Sequence, residues 1–343
     1  MIRLLDLAHS VEWDEIVHSF SEYDVYYLSG YVKAFHIHGD GDPYLLYYEN
    51  NGLRAIYAYT RRPTAIDGIY DSVTPYGYGG VLFEGDTSEA NRRVFWKAYL
   101  EEMAKEHIVD NFVRYHPILN NAVPMKPISN VIDLGKTIAM DLASPELIWE
   151  NIHSKNRNHI RKAEKNGIMI EHGKGMELFD IFIEMYNATM DKDHAEEYYY
   201  FKRPFYESIH NDLNDNYEIF YAKLEDKIIA MSIMIFANGR MNYHLSGSDI
   251  EYRNLAPSNL LLYKAALWGY EHGMKTFHLG GGVGSGKDNL YKFKAAFNKN
   301  SDYQFSIGKQ IFDQAIYDEL VKIRRESDAS FDESSSYFPV YRA

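Results

Sequence analysis

The sequence predicts an α/β (α+β) protein with two tandem domains, each built around a mixed central sheet. Three observations support this prediction. The chain has 343 residues, enough for two domains of ordinary size and an ample core. Helix-like and strand-like patterns are mixed along its whole length. The mixture of patterns before residue 140 is followed by a similar mixture after it, and neither repeats nor low-complexity tracts interrupt the chain.

The first half contains a clear hairpin signal and a boundary signal. Residues 44–49 and 53–60 read as paired strands around an Asn-Asn-Gly turn, residues 89–108 have helical spacing, and residues 109–117 resume as a strand. Residues 142–167 then predict one long helix, with Ser144 as its cap, Pro145 at its first position and Gly167 at its end. We place the domain boundary here, at residue 140/141.

The second half repeats the mixed pattern. Its predicted elements are, in order, helices at 175–192 and 201–213, strands at 217–225, 227–237 and 240–248, a helix at 257–273, a strand at 276–281, a helix at 289–298 and a strand at 302–308. A last helix covers residues 311–326. The predicted domains are therefore 1–140 and 141–308, with residues 309–343 packing back on the first.

Composition and charge exclude several function classes. A formal charge of -13 disfavours a general nucleic-acid binder, although it leaves room for a local basic site. The absence of cysteine excludes disulfides and thiolate chemistry and suits a cytoplasmic protein. Acids interrupt the apolar residues of the first 20 positions, and no stretch approaches the length of a membrane span, so we expect neither a signal peptide nor stable membrane insertion. His36 and His38 lack a third ligand, so we expect no metal site.

A glycine-rich segment, GGVGSGKD at residues 281–288, almost matches a P-loop. Asp288 stands where a P-loop has the Ser or Thr that binds magnesium, and a carboxylate there repels phosphate, so we reject that reading. In the helix that follows, Leu290, Phe293 and Phe297 form the predicted buried stripe, with Tyr291 and Lys294 on its flank. Lys294 either places its ammonium over an oxyanion or is simply solvated beside a tight turn.

The predicted helix at 142–167 concentrates positive charge in an acidic protein. Arg157, Arg161 and Lys165 fall at i, i+4 and i+8 and therefore share one face. Like charges at this spacing repel one another unless an anion neutralises them, which indicates phosphate binding. The alternative is an ordinary solvated helix face.

The segment at residues 253–258, RNLAPS, precedes another predicted helix. It resembles the acyl-CoA site of GNAT acetyltransferases, where Arg or Gln, two residues, Gly, one residue, and Gly or Ala hold a pyrophosphate on backbone amides. Arg253 fits, but Ala256 and Ser258 fill the two glycine positions, and Pro257 removes an amide. The predicted strand, turn and helix therefore match the GNAT scaffold better than residues 253–258 match its CoA site.

Three segments in this order and spacing resemble the FemABX peptidyltransferases and related GNAT-like acyltransferases of cell-envelope glycan pathways. They are WENIHSKNRNHIRKAEKNGIMI, YRNLAPSNLLLYKAALWGYEHGMKTFHLGGG and LYKFKAAFN, and TPYGYGG at residues 74–80 is similar to a segment of members encoded with polysaccharide genes. The resemblance covers nearly the whole chain. It implies two GNAT-like domains, a substrate channel between them, and transfer of an amino acid from aminoacyl-tRNA to an amine, with a nucleotide-linked or otherwise soluble precursor as acceptor.

The resemblance also implies roles for individual residues. Phe293 and Lys294 match the pair at the reacting ester, and Tyr243 matches a tyrosine on the strand that faces it. Lys33 occupies the position of the family's lysine that binds the precursor's phosphates. The remaining substrate-binding candidates are Arg157, Arg161, Arg253, Tyr291, the pair Arg203 and Tyr206, and, in the first domain, Asp71, Tyr76 and Tyr78. We expect Asp71, or water relayed by a tyrosine, to take the proton from the attacking amine.

The sequence thus predicts an acyltransferase that acts on an amine of a cell-envelope glycan or peptidoglycan precursor, with no tightly bound cofactor and with aminoacyl-tRNA or acyl-CoA as its donor. One alternative is an acyl-CoA-dependent enzyme for an amino sugar or polysaccharide unit. Another is a catalytically idle GNAT fold that binds glycan through some of the 30 tyrosines. TPYGYGG differs from the Gly-Pro-Val type of loop in peptidoglycan members, which leaves the peptide acceptor open.

Overall fold

A computed structural model describes residues 2–343, which form two compact units. Unit 1 comprises residues up to 134 together with 305–343, and unit 2 comprises residues 135–304. Both units mix helices with a largely antiparallel sheet, as the sequence predicts.

The elements up to residue 114 belong to unit 1. They are β1 (Ile2–Leu5), α1 (Ser10–His18), α2 (Ser29–His38), β2 (Asp42–Asn50), β3 (Leu53–Pro63), β4 (Tyr70–Val73), β5 (Leu82–Gly85), α3 (Glu89–Lys105) and β6 (Ile108–Arg114). The predicted hairpin is confirmed, since Tyr48 of β2 pairs with Ala55 of β3. Its rows of Leu, Tyr and Ala side chains pack against Phe95 and Tyr99 of α3 and form the core of the unit.

The next strand, β7 (Val131–Asp141), leads into unit 2. The elements that follow it are α4 (Pro145–Asn151), α5 (Ser154–Lys165), β8 (Met169–Gly173), α6 (Met176–Asp193), α7 (Arg203–Asp212), β9 (Tyr217–Leu224), β10 (Lys227–Ala237), β11 (Arg240–Ser248), α8 (Pro257–Glu271), β12 (Thr276–Gly280) and α9 (Asn289–Ala295). The strand order in unit 2 is β7-β12-β11-β10-β9-β8. Buried side chains of α5 and α8 cover this sheet.

Two elements lead back to unit 1. They are β13 (Tyr303–Ile311) and α10 (Gln314–Ser327). β13 pairs with β6, where Ile307 lies opposite Arg114, and completes the unit 1 order β1-β2-β3-β4-β6-β13. Tyr317 and Leu320 of α10 form a small buried cluster with Val109 and Tyr341.

The prediction of one long helix over residues 142–167 is wrong, because the segment forms two helices, α4 and α5. The expected cap is present, since the Ser144 hydroxyl accepts from the Leu147 amide at 3.2 Å and Pro145 takes the first position. The helix ends at Asn151 because the backbone there bonds outward: the His153 amide donates to Ala296, and the Asn151 carbonyl accepts from Lys299. Sequence spacing does not reveal such a long-range contact.

Candidate active site

The sheet of unit 2 opens between β11 and β12. These parallel strands pair only from Arg240 opposite Thr276 to Asn242 opposite His278, although β11 continues to Ser248. Beyond that point β11 carries a bulge, because Ile233 lies opposite Leu245 and Met234 opposite Tyr243, which leaves His244 as the extra residue. The carboxyl ends of the two strands therefore do not pair with each other.

Lys294 lies in α9, which follows this opening after the glycine-rich loop at 281–288. Its Nζ donates to the Gly281 carbonyl at 2.9 Å and lies 6.0 Å from the centroid of the Tyr243 ring. Burial lowers the pKa of Lys294 to about 8, while Asp288 opposes the shift. Burial also raises the pKa of Tyr243. The structure thus brings together Lys294 and Tyr243, two residues that the sequence predicts at the reacting ester.

An ammonium carries three N–H donors, and Gly281 accepts one of them. In a half-buried position each remaining donor stabilises a nearby negative charge more strongly than it does in water. The arrangement can therefore stabilise an oxyanion at the end of β12.

The glycine-rich loop holds its own shape through Asp288. The Asp288 carboxylate caps α9 by accepting the Tyr291 amide at 2.8 Å, and it also accepts the Val283 amide at 3.2 Å. A carboxylate that bonds two loop amides occupies donors that a phosphate would need. The rejection of a P-loop therefore has a structural reason, and Asp288 is a structural residue of the loop.

The predicted buried stripe of α9 is only partly present. Phe297 is fully buried and its ring lies 5.5 Å from that of Phe293, which is half-buried. Leu290, in contrast, is 41% exposed, so its prediction as a core residue is wrong. It lies in the first turn of a seven-residue helix, directly after the loop in the sequence. Tyr291 is half-buried, and its amide belongs to the cap.

Asn156 is a positioning residue that the sequence reasoning missed. It is 2% exposed, donates to the Ala296 carbonyl at 3.2 Å, and accepts from Asn259 at 2.7 Å. One side chain of α5 thus joins the end of α9 to the start of α8. The available signal was an asparagine on the apolar face of an amphipathic helix, where a buried amide needs partners.

The start of α8 offers few donors to an anion. Ala256 has a left-handed φ of 58° and Pro257 has no amide proton. The Ala256 amide donates to Arg253, and the Asn259 amide already bonds the Ala256 carbonyl. Among the described residues, the Ser258 amide is the free donor that remains in this first turn. Arg253 is exposed beside it.

The basic face of α5 exists as predicted, and it surrounds an aromatic ring. The guanidinium carbons of Arg157 and Arg161 lie 5.9 Å and 5.1 Å from the Trp149 ring centroid. Within residues 2–343, no carboxylate lies within ion-pairing distance of these arginines or of Lys165. Most other arginines of this acidic chain are paired, as Arg93 is with Glu89.

Asp71, predicted as a base, is buried in unit 1 and paired. Its carboxylate accepts from Arg62 at 2.7 Å, from Arg342 and, at 3.1 Å, from the Tyr341 hydroxyl. Burial and the neighbouring Asp71 charge raise the pKa of Asp110, which shares that hydroxyl, to about 7. Because two arginines already neutralise a carboxylate with no exposed surface, the prediction that Asp71 takes a proton from a substrate is wrong.

The predicted pair Arg203 and Tyr206 does not form an open binding site. Arg203 is exposed, but Asp180 and Glu207 neutralise its guanidinium. Tyr206 has no exposed surface and packs among Phe179, Phe182 and Phe205, so its prediction as a substrate-binding residue is wrong. Helical spacing placed both residues on α7 correctly, but it did not reveal that α7 buries Tyr206 against α6.

The other predicted residues of unit 1 lie in α2 and in the loop that follows β4. Lys33 is a half-buried residue of that helix. Tyr76 and Tyr78 are half-buried in the loop that follows β4, where the Tyr76 ring stacks on Phe35 at 5.4 Å and 17°. The structure therefore keeps these two tyrosines at a surface.

Further observations bear on membrane and metal binding. No helix within residues 2–343 has the length and apolar content needed to cross a membrane. The same residues contain no cluster of three or more His, Cys, Asp or Glu side chains with the geometry of a metal site.

Comparisons with known proteins support the fold described above. Residues 152–294 match a family profile described as an acetyltransferase (GNAT) domain. No curated protein sequence matches the chain significantly. Among solved structures, FemX is similar with a TM-score of 0.67 and 15% identity, covering 93% of this chain and 99% of FemX.

Two further structures have the same fold. The C-terminal domain of a putative lysylphosphatidylglycerol synthetase from Agrobacterium fabrum has a TM-score of 0.58 and 15% identity, covering 89% of this chain and 92% of that domain. A conserved protein of unknown function from Bacteroides thetaiotaomicron has the same TM-score and 11% identity, covering 90% of this chain and 99% of that protein. The predicted resemblance to FemABX proteins is confirmed at the level of the fold, and the match of residues 152–294 to the GNAT profile supports an acyltransferase.

Proposed function

We propose that the protein transfers an aminoacyl group from an aminoacyl-tRNA to an amine of a cell-envelope precursor. The proposed chemistry rests on the position of Lys294, a half-buried lysine that follows the end of β12 and lies 6.0 Å from the Tyr243 ring centroid. Both the donor and a nucleotide-linked acceptor belong to the cytoplasm, so the proposal locates the reaction there.

The reaction requires few catalytic groups from the protein. The amine nitrogen attacks the ester carbonyl carbon and forms the new C–N bond, and the carbonyl electrons move to oxygen. The oxyanion then re-forms the carbonyl, expels the ribose oxygen and breaks the ester bond. The nitrogen loses one proton and the leaving oxygen gains one, with water as the carrier. Aligning the two reactants supplies much of the rate, and an ammonium at the oxyanion supplies the rest.

The protonation state of Lys294 fits this role. With a pKa of about 8, the group is about nine-tenths protonated at pH 7. It therefore carries the charge that an oxyanion needs.

The start of α8 favours the ester donor over a thioester. A CoA pyrophosphate binds through several free amides at a helix start, and here the Ser258 amide is the one that remains in the described first turn. We expect CoA to bind with a Kd of about 0.1 mM or weaker, which corresponds to a binding free energy of about -5.5 kcal/mol at best.

An acyl-CoA-dependent N-acyltransferase for an amino sugar is the second candidate. The match of residues 152–294 to the GNAT acetyltransferase profile favours it, since enzymes of this kind use acyl-CoA. A fold that only binds glycan is less favoured, because it has no use for a half-buried lysine beside an open strand end.

One experiment separates the two donors. Purified protein is titrated with acetyl-CoA by calorimetry and is also incubated with tRNA charged with a radiolabelled amino acid and a pool of amine acceptors. Labelled acceptor together with weak CoA binding supports the proposal. Low-micromolar CoA binding with no transfer from tRNA overturns the donor, and Lys294→Met with wild-type transfer removes the mechanism.

A further inference from the structure

The loop TPYGYGG, residues 74–80, is held in place by buried side chains of unit 1. The Tyr31 hydroxyl donates to the Tyr76 carbonyl at 2.5 Å, and the Tyr27 hydroxyl donates to Gly80 at 2.8 Å. Asn121, 4% exposed, donates to the Gly79 carbonyl at 2.8 Å. Three carbonyls of one short loop are thus fixed by side chains distant in sequence.

Two glycines make this packing possible. Gly77 has φ of 92°, and a Cβ there would lie 2.5 Å from the Tyr26 ring. Gly80 has φ of 93°, and a Cβ there would lie 2.6 Å from the Tyr115 ring. Any other residue at either position would be both strained and in collision with an aromatic ring. The chain therefore folds this loop into one closely packed conformation.

The fixed loop displays two aromatic rings. Tyr76 lies with one face on Phe35, while Tyr78 contacts Tyr26 and Phe305 edge-on at 5.7 Å each. Both tyrosines are half-buried and keep part of their surface exposed, although most of their neighbours are buried. Rings held in this way lose little conformational entropy when a ligand binds, which is the advantage of a preorganised site.

The hydrogen bonds of the loop argue against a peptide occupant. An extended peptide binds a backbone by pairing with its carbonyls and amides. Here the carbonyls of Tyr76, Gly79 and Gly80 are already engaged, and the Gly79 amide donates to Arg114 at 2.8 Å. What the loop offers instead is the partly exposed aromatic surface of Tyr76 and Tyr78. A sugar ring matches this surface, because it has an apolar C–H face for stacking and a rim of hydroxyls for hydrogen bonds.

We propose that Tyr76 and Tyr78 bind the ring of an amino sugar, so that the amine acceptor belongs to the glycan rather than to a peptide. The inference rests on the proposed function for the statement that the sugar is an acceptor. The binding itself is independent of that function. A hexosamine supplies both the ring that the tyrosines contact and the amine that an acyl group requires.

The test measures binding without any donor. Glucosamine tetrasaccharide and tetra-alanine are titrated by saturation-transfer NMR against the full chain, Tyr76→Ala, Tyr78→Ala and Tyr76→Phe. Tyr270→Ala is the control, because Tyr270 is a surface tyrosine of α8 in the other unit, 39% exposed. We expect the sugar to bind, each loop alanine to weaken it about tenfold, and Phe to retain most of the affinity.

Three results would overturn the inference. The first is no sugar binding up to about 20 mM, close to the weakest affinity that the method detects. The others are an equal loss of sugar affinity in Tyr270→Ala, and displacement of the sugar by tetra-alanine. Tyr76→Ala decides the case if Tyr78→Ala fails to fold, since Tyr76 packs at the surface. The transfer assay runs separately. Loop-dependent sugar binding without transfer breaks the proposed function alone, and transfer to a peptide amine without sugar binding breaks this inference alone.

Discussion

The two glycine-rich loops of this chain are built in opposite ways. Residues 74–80 are fixed from outside by Tyr27, Tyr31 and Asn121. Residues 281–288 fix themselves, because Asp288 accepts the Val283 and Tyr291 amides. The first loop presents side chains on a fixed surface, whereas the second leaves backbone open beside a lysine, with Val283 75% exposed. Glycine content therefore does not define a role, and the side chains around each loop do.

The largest expected effect tests how tightly the first loop is packed. Gly80→Ala places a methyl group against the Tyr115 ring at a left-handed φ, so we expect a loss of about 3 kcal/mol or more in the free energy of unfolding. The matched change Gly284→Ala, at φ of 57° with no atom within 4 Å, should cost about 1 kcal/mol. Urea unfolding measures both. Equal losses would mean that the loops are packed alike.

The elements of this fold were largely predictable because each has its own periodicity. Alternating Leu and Tyr residues gave β2 and β3, and helical spacing gave α3, α6 and α8. The break between α4 and α5 was not predictable, since it depends on hydrogen bonds to residues almost 150 positions away. Local pattern carries no information about such partners.

The candidate site was predictable to a similar degree. Lys294 and Tyr243 were predicted from the resemblance to FemABX proteins, and the structure brings them together. Asp71 failed because its partners Tyr341 and Arg342 lie 270 positions away, and Tyr206 failed because an aromatic residue on an amphipathic helix suits a core as well as a binding site. Asn156 was missed because a polar residue that bridges three helices has no signature of its own.

The next effect concerns the residue beside the second loop. Lys294→Met should lower turnover by about 100-fold, near 2.7 kcal/mol, with little change in acceptor affinity, because the ammonium acts on charge that develops in the transition state. Burial holds the pKa of Lys294 at about 8, so the charged form is lost as pH rises through 8. Turnover of the wild type should therefore fall above pH 8.

Lys294→Arg provides the control for that pH dependence. Arginine stays charged throughout the measured range, so whatever turnover this variant retains should not decline near pH 8. Steady-state rates from pH 6 to 9.5 test both statements. A Met variant with wild-type turnover, or an Arg variant with the same alkaline decline, would contradict the assigned role.

A smaller effect should follow from breaking the internal bonds of the second loop. Asp288→Ala removes the cap of α9, which should cost about 1 kcal/mol of unfolding free energy. Asp288→Asn retains an oxygen that can accept an amide and should cost less. Because Asp288 also opposes the lowered pKa of Lys294, both changes should move the alkaline limb of the rate profile to lower pH. Thermal unfolding and pH–rate profiles measure the two effects, and an unmoved limb would show that the carboxylate does not affect Lys294.

The smallest effect on stability tests the basic face of α5, which belongs to neither loop. Arg157 and Arg161 are not ion-paired among the described residues, so changing both to Gln should alter unfolding free energy by less than about 1 kcal/mol. If they bind a phosphate backbone, deacylated tRNA should bind more weakly, with a salt slope reduced by roughly 1 to 2. Arg93→Gln with Lys97→Gln on α3 changes the net charge equally, at two exposed residues, and should leave the slope unaltered. A large loss of stability with unchanged tRNA binding would instead mean that the arginines serve to pack against Trp149.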